Sequence, residues 1–242
     1  MKIFAIAAAL ACAASLSAEV QKQDVDIKAP DGVNLKATYF SAGRSGPAML
    51  LLHQCNMDRH AWDGLAADLA AGGINVLTFD NRGFGESGGS KSTDPDTRTA
   101  ERKKWPADVD AAFDYLIKQK GVDASRLAVG GASCGVTLSS DLAARRHEIR
   151  ALMVLSGMAS DAAKAYIASN PSLPVFGAAS EGDTGAANGI RAALAESKDP
   201  KSVLKIYSGT EHGVPMFAKN PELEPMIVAW IKAQLPATGG TH

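Results

Sequence analysis

From Ala48 onward the chain alternates short, solidly apolar runs with Ala-rich stretches of helical spacing, and no other feature constrains its fold as strongly. A run with no polar face must be covered on both sides, which is how a strand inside a parallel sheet reads. The runs are Ala48 to His53, Ile74 to Asp80, Leu127 to Gly130, Ala151 to Ser156, Pro174 to Ala178 and Val203 to Tyr207. Between them lie helical stretches with plausible ends: Trp62 to Ala71 before Gly72-Gly73, Trp105 to Gln119 before Gly121, Val136 to Arg146, Gly189 to Ala195, and Glu222 to Gln234 before Pro236. Upstream, Val25 to Ile27 and Asn34 to Phe40 alternate around Asp31-Gly32, a turn pair that joins antiparallel strands. The expectation is an α/β fold with a mostly parallel sheet of about eight strands, opened by a hairpin and covered by helices on both faces.

No internal repeat and no Pro-, Gly- or Ser-rich linker divides the chain, so residues 19 to 242 read as one domain. With 46% hydrophobic and 21% charged residues in 242, it has enough apolar material to bury a core over such a sheet. The polar, Gly-rich segment Gly83 to Asp96 reads as a long loop at one end of that sheet. Lys and Arg, 25 against 26 Asp and Glu, nowhere gather into a patch that would follow a phosphate backbone, which argues against a nucleic-acid partner.

Residues 1 to 18 read as an export signal: Lys2, an apolar run from Ile3 to Ala14, then small residues from Ser15 to Ala18, with the cut expected after Ala18. The run is shorter than the roughly 20 residues of a spanning helix. A periplasmic or secreted protein without stable membrane insertion is therefore expected. Lipid anchoring at Cys12 is the alternative, and it would leave a signal of only eleven residues. Export would leave Cys55 and Cys134 as the cysteines of the mature chain, in an oxidising compartment.

Two serines lie in a G-x-S-x-G pattern, Ser133 between Gly131 and Gly135, and Ser87 between Gly85 and Gly89. Acyl-transfer chemistry needs a strand that ends in a tight turn and passes straight into a helix, whose free N–H groups then face the reacting carbonyl. Ser133 has that setting; Ser87 lies in a polar loop. A serine hydroxyl also needs a base, and histidine suits that work near neutrality. Of His53, His60, His147, His212 and His242, only His212 sits in a flexible loop directly after the last strand. The carboxylate that orients the histidine is expected past a strand between these two, as Asp183, with Glu181 and Asp161 as rivals.

At these residues the chain resembles the α/β-hydrolase superfamily, from about Val25 to Gln234. The stretch Phe79-Asp-Asn-Arg-Gly-Phe-Gly-Glu-Ser-Gly88 is similar to that superfamily's D-x-R-G-x-G-x-S segment. The resemblance implies an oxyanion hole made by the N–H groups of Cys134 and Cys55. It departs from the family pattern at His53-Gln54-Cys55, where glycine usually follows the histidine. His53 is expected to be a buried histidine that bonds this loop, and Arg82 a structural donor to loop carbonyls. The mapping also raises a disulfide between Cys55 and Cys134, with two free thiols lining the pocket as the alternative.

Only Gly157 to Leu173 is available for a cap, room for one short helix around Ala162 to Ser169, so the site should be shallow, closer to compact dienelactone-hydrolase-like members. Met158, Tyr166 and Ile167 are candidates to line it, with packing of Tyr166 and Ile167 on the sheet as the alternative. The activity expected is ester cleavage by a Ser-His-Asp triad on small or short-acyl substrates, without a metal or cofactor. A peptidase or amidase on the same triad is the alternative enzyme, and a non-catalytic binding protein the alternative class.

Overall fold

A computed structural model describes residues 20–236. The export signal, Cys12 and His242 lie outside the described residues. Strands β1 (Gln21–Lys28) and β2 (Asn34–Ser41) form the opening hairpin, with Ile27 opposite Leu35 and Gly32 at the turn with φ 87°. Then follow β3 (Gly46–Leu52), α1 (Asp63–Ala71), β4 (Asn75–Phe79), α2 (Pro95–Arg102), α3 (Trp105–Ile117), β5 (Val122–Ala132) and α4 (Cys134–Arg145). The chain continues through β6 (Ile149–Leu155), α5 (Asp161–Ser169), β7 (Val175–Ser180), α6 (Thr184–Ala195), β8 (Val203–Tyr207), α7 (Met216–Lys219) and α8 (Leu223–Gln234).

These eight strands make one sheet in the order β1-β2-β4-β3-β5-β6-β7-β8. Pairing is antiparallel from β1 through β2 to β4, and parallel from β4 to β8. The central strands are apolar throughout because each face carries its own core. On β3, Ala48, Leu50 and Leu52 meet Val109, Phe113 and Leu116 of α3 and Val136 and Leu142 of α4. Met49 and Leu51 point the other way, toward Leu65 and Leu69 of α1 and Ile227 and Ile231 of α8. The period of two thus splits each strand between helix layers.

Helices α2, α6 and α7 depart from the sequence reading, the four-residue α7 having no counterpart in it. The loop read over Gly83 to Asp96 gives way at Pro95 to α2, a helix absent from that reading, which buries no side chain. It forms on local signals alone: Asp94 caps it by accepting from the Thr97 N–H at 2.8 Å, and Pro95 occupies the first turn. Helix α6 begins five residues before Gly189, at Thr184, so that Ala186 and Ala187 pack on the sheet. Between β6 and β7 there is one helix, α5, and it lies against α4: the Ser160 hydroxyl at its cap donates to Asp141 at 2.5 Å. The C-terminal tips of β5 to β8 are consequently left open.

Candidate active site

Ser133 occupies the single position between the end of β5 and the start of α4, with φ 54° and ψ −119°. Backbone of this kind costs a non-glycine residue about 1–3 kcal/mol and persists only where its surroundings enforce it. The enforcement is visible in two close approaches. A Cβ on Gly131 would lie 2.1 Å from the Gly135 carbonyl oxygen, and one on Gly135 would lie 2.3 Å from that of Leu52. Both positions require glycine, and the turn is as sharp as the pattern demands. Ser156, at the tip of the adjacent β6, is the other non-glycine residue with positive φ among the described residues, at 46°. Its hydroxyl bonds the Met216 sulfur at 3.2 Å, and Gly157 beside it passes close to the Ser133 carbonyl. Sequence reading missed Ser156, because nothing in the sequence marks a second strained serine there.

His212 Nδ1 lies 2.6 Å from Asp183 Oδ2. Asp183 directly precedes α6, and the loop after β8 brings His212 back over the strand tips. The rival carboxylates point elsewhere: Glu181 pairs with Arg191, and the exposed Asp161 pairs with Lys164 at 2.8 Å. Ser133, Asp183 and His212 line one cleft of about 300 Å³, with Cys134, Thr137 and Met158 on its walls. No hydrogen bond joins the Ser133 hydroxyl to the imidazole in this structure; such contacts are often loose without substrate.

Cys55 and Cys134 are joined by a disulfide, with α-carbons 5.8 Å apart. Cys134 is the first residue of α4, so its N–H is one of the unpaired donors of a helix start. Neither the Cys55 nor the Cys134 N–H is taken up by an internal hydrogen bond among the described residues. Gln54, at the departure from the family pattern, is buried and ties this loop to the histidine loop. Its Oε1 accepts from the Val214 N–H at 2.9 Å, and its Nε2 donates to Asn56 at 2.8 Å and to the His212 carbonyl at 3.4 Å. Gly213, with φ 70°, leaves the space that the Gln54 amide fills. Sequence reading registered Gln54 only as an anomaly; its partner loop lies 158 residues away.

His53 is fully buried and has both ring nitrogens engaged, Nδ1 with the Gln54 carbonyl at 2.8 Å and Nε2 with the Asn81 N–H at 3.0 Å. These partners require the neutral tautomer with the proton on Nδ1, and burial pushes its pKa down in agreement. Ser87 is buried, accepting from the Lys36 N–H at 2.8 Å and donating to the Asp80 carbonyl at 2.6 Å.

Two expectations need correction. Arg82 is structural, but its partners are carboxylates and not loop carbonyls: it meets Asp108 through two 2.6 Å bonds and Asp31 at 2.6 and 3.0 Å. A planar guanidinium takes such paired oxygens in preference to single carbonyls. Tyr166 does not line the cleft. It stacks on His147, with ring centroids 5.4 Å apart, and accepts from Asn170 at 3.0 Å, because α5 leans on α4 rather than over the strand tips. Ile167 is buried in the core, whereas Met158 does line the cleft, 64% exposed.

Residues 44–179 match the family model described as serine aminopeptidase, S33. An uncharacterized protein of Mycobacterium tuberculosis is 35% identical over 126 residues, covering 51% of this chain and 42% of that protein. The thiohydrolase aneE of Aspergillus aculeatus is 29% identical over 111 residues, 46% of this chain and 33% of that protein. The chain thus spans less than half the length of these curated relatives. Among solved structures, a Pyrococcus furiosus esterase is similar with a TM-score of 0.71 at 18% identity, covering 90% of this chain and 92% of its own. Dienelactone hydrolase from Anabaena variabilis gives 0.68 at 17%, covering 90% and 99%. At these identities the structural likeness is one of fold.

Proposed function

The chain belongs to the S33 serine aminopeptidase family of α/β-hydrolases, and from that membership we propose a serine hydrolase that cleaves small carboxylic esters through an acyl-enzyme on Ser133. The observation that carries the reading is the His212–Asp183 contact of 2.6 Å at a cleft that also holds the strained Ser133. Attack by the Ser133 hydroxyl on the ester carbonyl passes its proton to His212 Nε2, while the Asp183 carboxylate accepts a hydrogen bond from the Nδ1–H, which fixes the tautomer and stabilises the imidazolium. The N–H groups of Cys55 and Cys134 hold the oxyanion. The tetrahedral species collapses, and the imidazolium protonates the departing alcohol. Water, deprotonated by His212, then attacks the acyl-enzyme and releases the acid.

Gln54 acts in this scheme as a positioning residue that sets the His212 loop against the Cys55 loop. Esters fit the cleft better than peptides with a free N-terminus, which call for a carboxylate to meet the ammonium. Asp183 is the acidic residue lining the cleft, and it is engaged by His212. The open cleft favours short acyl groups, since a long chain left in water gains little of the roughly 0.8 kcal/mol available per buried methylene. The disulfide supports export to an oxidising compartment.

A fluorophosphonate probe should label the folded mature protein at Ser133, and 4-nitrophenyl esters should be cleaved fastest with short acyl chains. Folded protein that neither labels nor cleaves any ester would point to a binding module. Turnover of short peptides without esters would point to a peptidase.

A further inference from the structure

A second hollow of about 200 Å³ opens beside Cys55, the disulfide partner of the residue that follows Ser133. Phe84 and Trp105 contribute an aromatic wall, their rings edge to face with centroids 5.8 Å apart. Lys91, Arg98 and Arg102 reach it, against one carboxylate, Glu101. Arg82 borders it too, but its guanidinium is committed to Asp31 and Asp108. Arg98 and Arg102 are one turn apart on α2 and so share a face of a helix that buries no side chain. Arg102 lies over the Trp105 ring at 5.3 Å. Among the described residues, neither arginine is paired with a carboxylate, whereas nearby Lys104 is, with Asp31 and Glu101.

We propose that this hollow is a subsite for an anionic arm of the substrate, so that the enzyme prefers esters carrying a carboxylate or phosphate group near the scissile bond. The proposal rests on the reading of Ser133 as nucleophile. Cys55 supplies one oxyanion donor and also borders the hollow, while Cys134, its disulfide partner, borders the Met158 cleft. An ester whose carbonyl oxygen sits on these two donors therefore directs one branch into the cleft and the other into the hollow. There the aromatic wall takes the apolar stem. The two unpaired guanidinium groups present N–H forks to the terminal oxygens, which suits carboxylate and phosphate alike. The basic rim of the hollow also draws anions toward it before they dock.

The test compares kcat/KM for 4-nitrophenyl esters of matched length whose acyl ends are neutral, carboxylate or phosphate. Wild-type protein should favour at least one anionic ester by about tenfold or more, chiefly through KM, and salt raised from about 0.02 to 0.5 M should compress that ratio. The double substitution Arg98→Ala/Arg102→Ala should bring the ratio close to one, and Arg98→Glu/Arg102→Glu should invert it. Each ratio is taken within one preparation, so a partly unfolded variant does not distort it. A gain confined to carboxylate or to phosphate supports the subsite and identifies its anion. Cleavage of the neutral ester with no anionic gain, or a gain that survives the double substitution, overturns the subsite and leaves the esterase standing. Loss of both Ser133 labelling and all ester cleavage in the wild type overturns the esterase, and the subsite with it.

Discussion

Ser133 and Ser87 sit in the same five-residue pattern, yet their surroundings are opposite. Ser133 is wedged between a strand and a helix at positive φ, with its side chain on a cleft. Ser87 lies in a loop whose other motif residues all serve to build that loop. Asp80 accepts from the Arg59 and Glu86 N–H groups at 2.7 and 2.9 Å, and Gly85 leaves room for its carboxylate. Arg82 staples the loop to the hairpin turn and to α3 through Asp31 and Asp108, and the Ser87 hydroxyl closes it against β2. One pattern exposes a hydroxyl by straining the backbone, and the other buries a hydroxyl to bond loop to strand. A motif therefore acquires meaning from what precedes and follows it.

Substitution should separate the two most sharply at the serines themselves. Ser133→Ala and His212→Ala should each lower ester turnover by about 10⁶-fold with the melting temperature retained, as expected of groups that act as a unit. Ser87→Ala should do the reverse, keeping most of the activity while losing about 1–3 kcal/mol of stability in urea melts, since it strands the Lys36 N–H and the Asp80 carbonyl. If Ser87→Ala proved inactive but stable, the assignment of the nucleophile would be wrong.

Next in size, Asp183→Asn should cost roughly 10⁴-fold in kcat, while Glu181→Gln should cost little. Equal losses from the two would break the assignment of the acid.

Gln54→Ala should lower kcat/KM by about 10²-fold, the scale on which a shift of about 1 Å between reacting groups is felt. Gln54→Glu gives the sharper reading. It retains an acceptor for the Val214 N–H but loses the donors to Asn56 and the His212 carbonyl, so kcat/KM should fall with the melting temperature little changed. A Gln54→Glu enzyme with wild-type kcat/KM would confine Gln54 to a purely structural role.

The smallest effect concerns the staple. Arg82 beside Asp31 holds that carboxyl at about 2, below its ordinary 3.8. A depressed folded-state pKa stabilises above the unfolded value, so this contribution is complete above about pH 4 and disappears as pH falls through 2. The melting temperature of Asp31→Asn should accordingly fall less steeply than that of wild type between pH 4 and 2. Because Asp31 is partly exposed, added salt should shrink the difference.

Much of this was legible in the sequence, for identifiable reasons. The central strands of the parallel sheet announce themselves because both faces are covered, and β8, a partly exposed edge strand, still runs from Val203 to Tyr207 as read. The turn at Ser133 is legible because two glycines are needed there for different carbonyls, one at Gly135 and one at Leu52. Helix α2 escaped because its residues carry no apolar stripe; its cap at Asp94 and the following proline were the available signal. Tyr166 was misplaced because sequence order does not say on which neighbour α5 leans. The clamp at Gln54 joins loops far apart in the chain, and no local pattern encodes such a meeting.

The disulfide closes a ring over a sequence separation of 79 residues, and that ring contains α1, β4, the Ser87 loop, α2, α3 and β5. Exposed backbone at Ser90 to Thr93 lies inside it. A protease that cuts there opens the ring without releasing a fragment: the two halves stay covalently attached and part only in a reducing gel. The hinge produced by such a nick would loosen α2 while the sheet and the strand tips remained assembled around the cut.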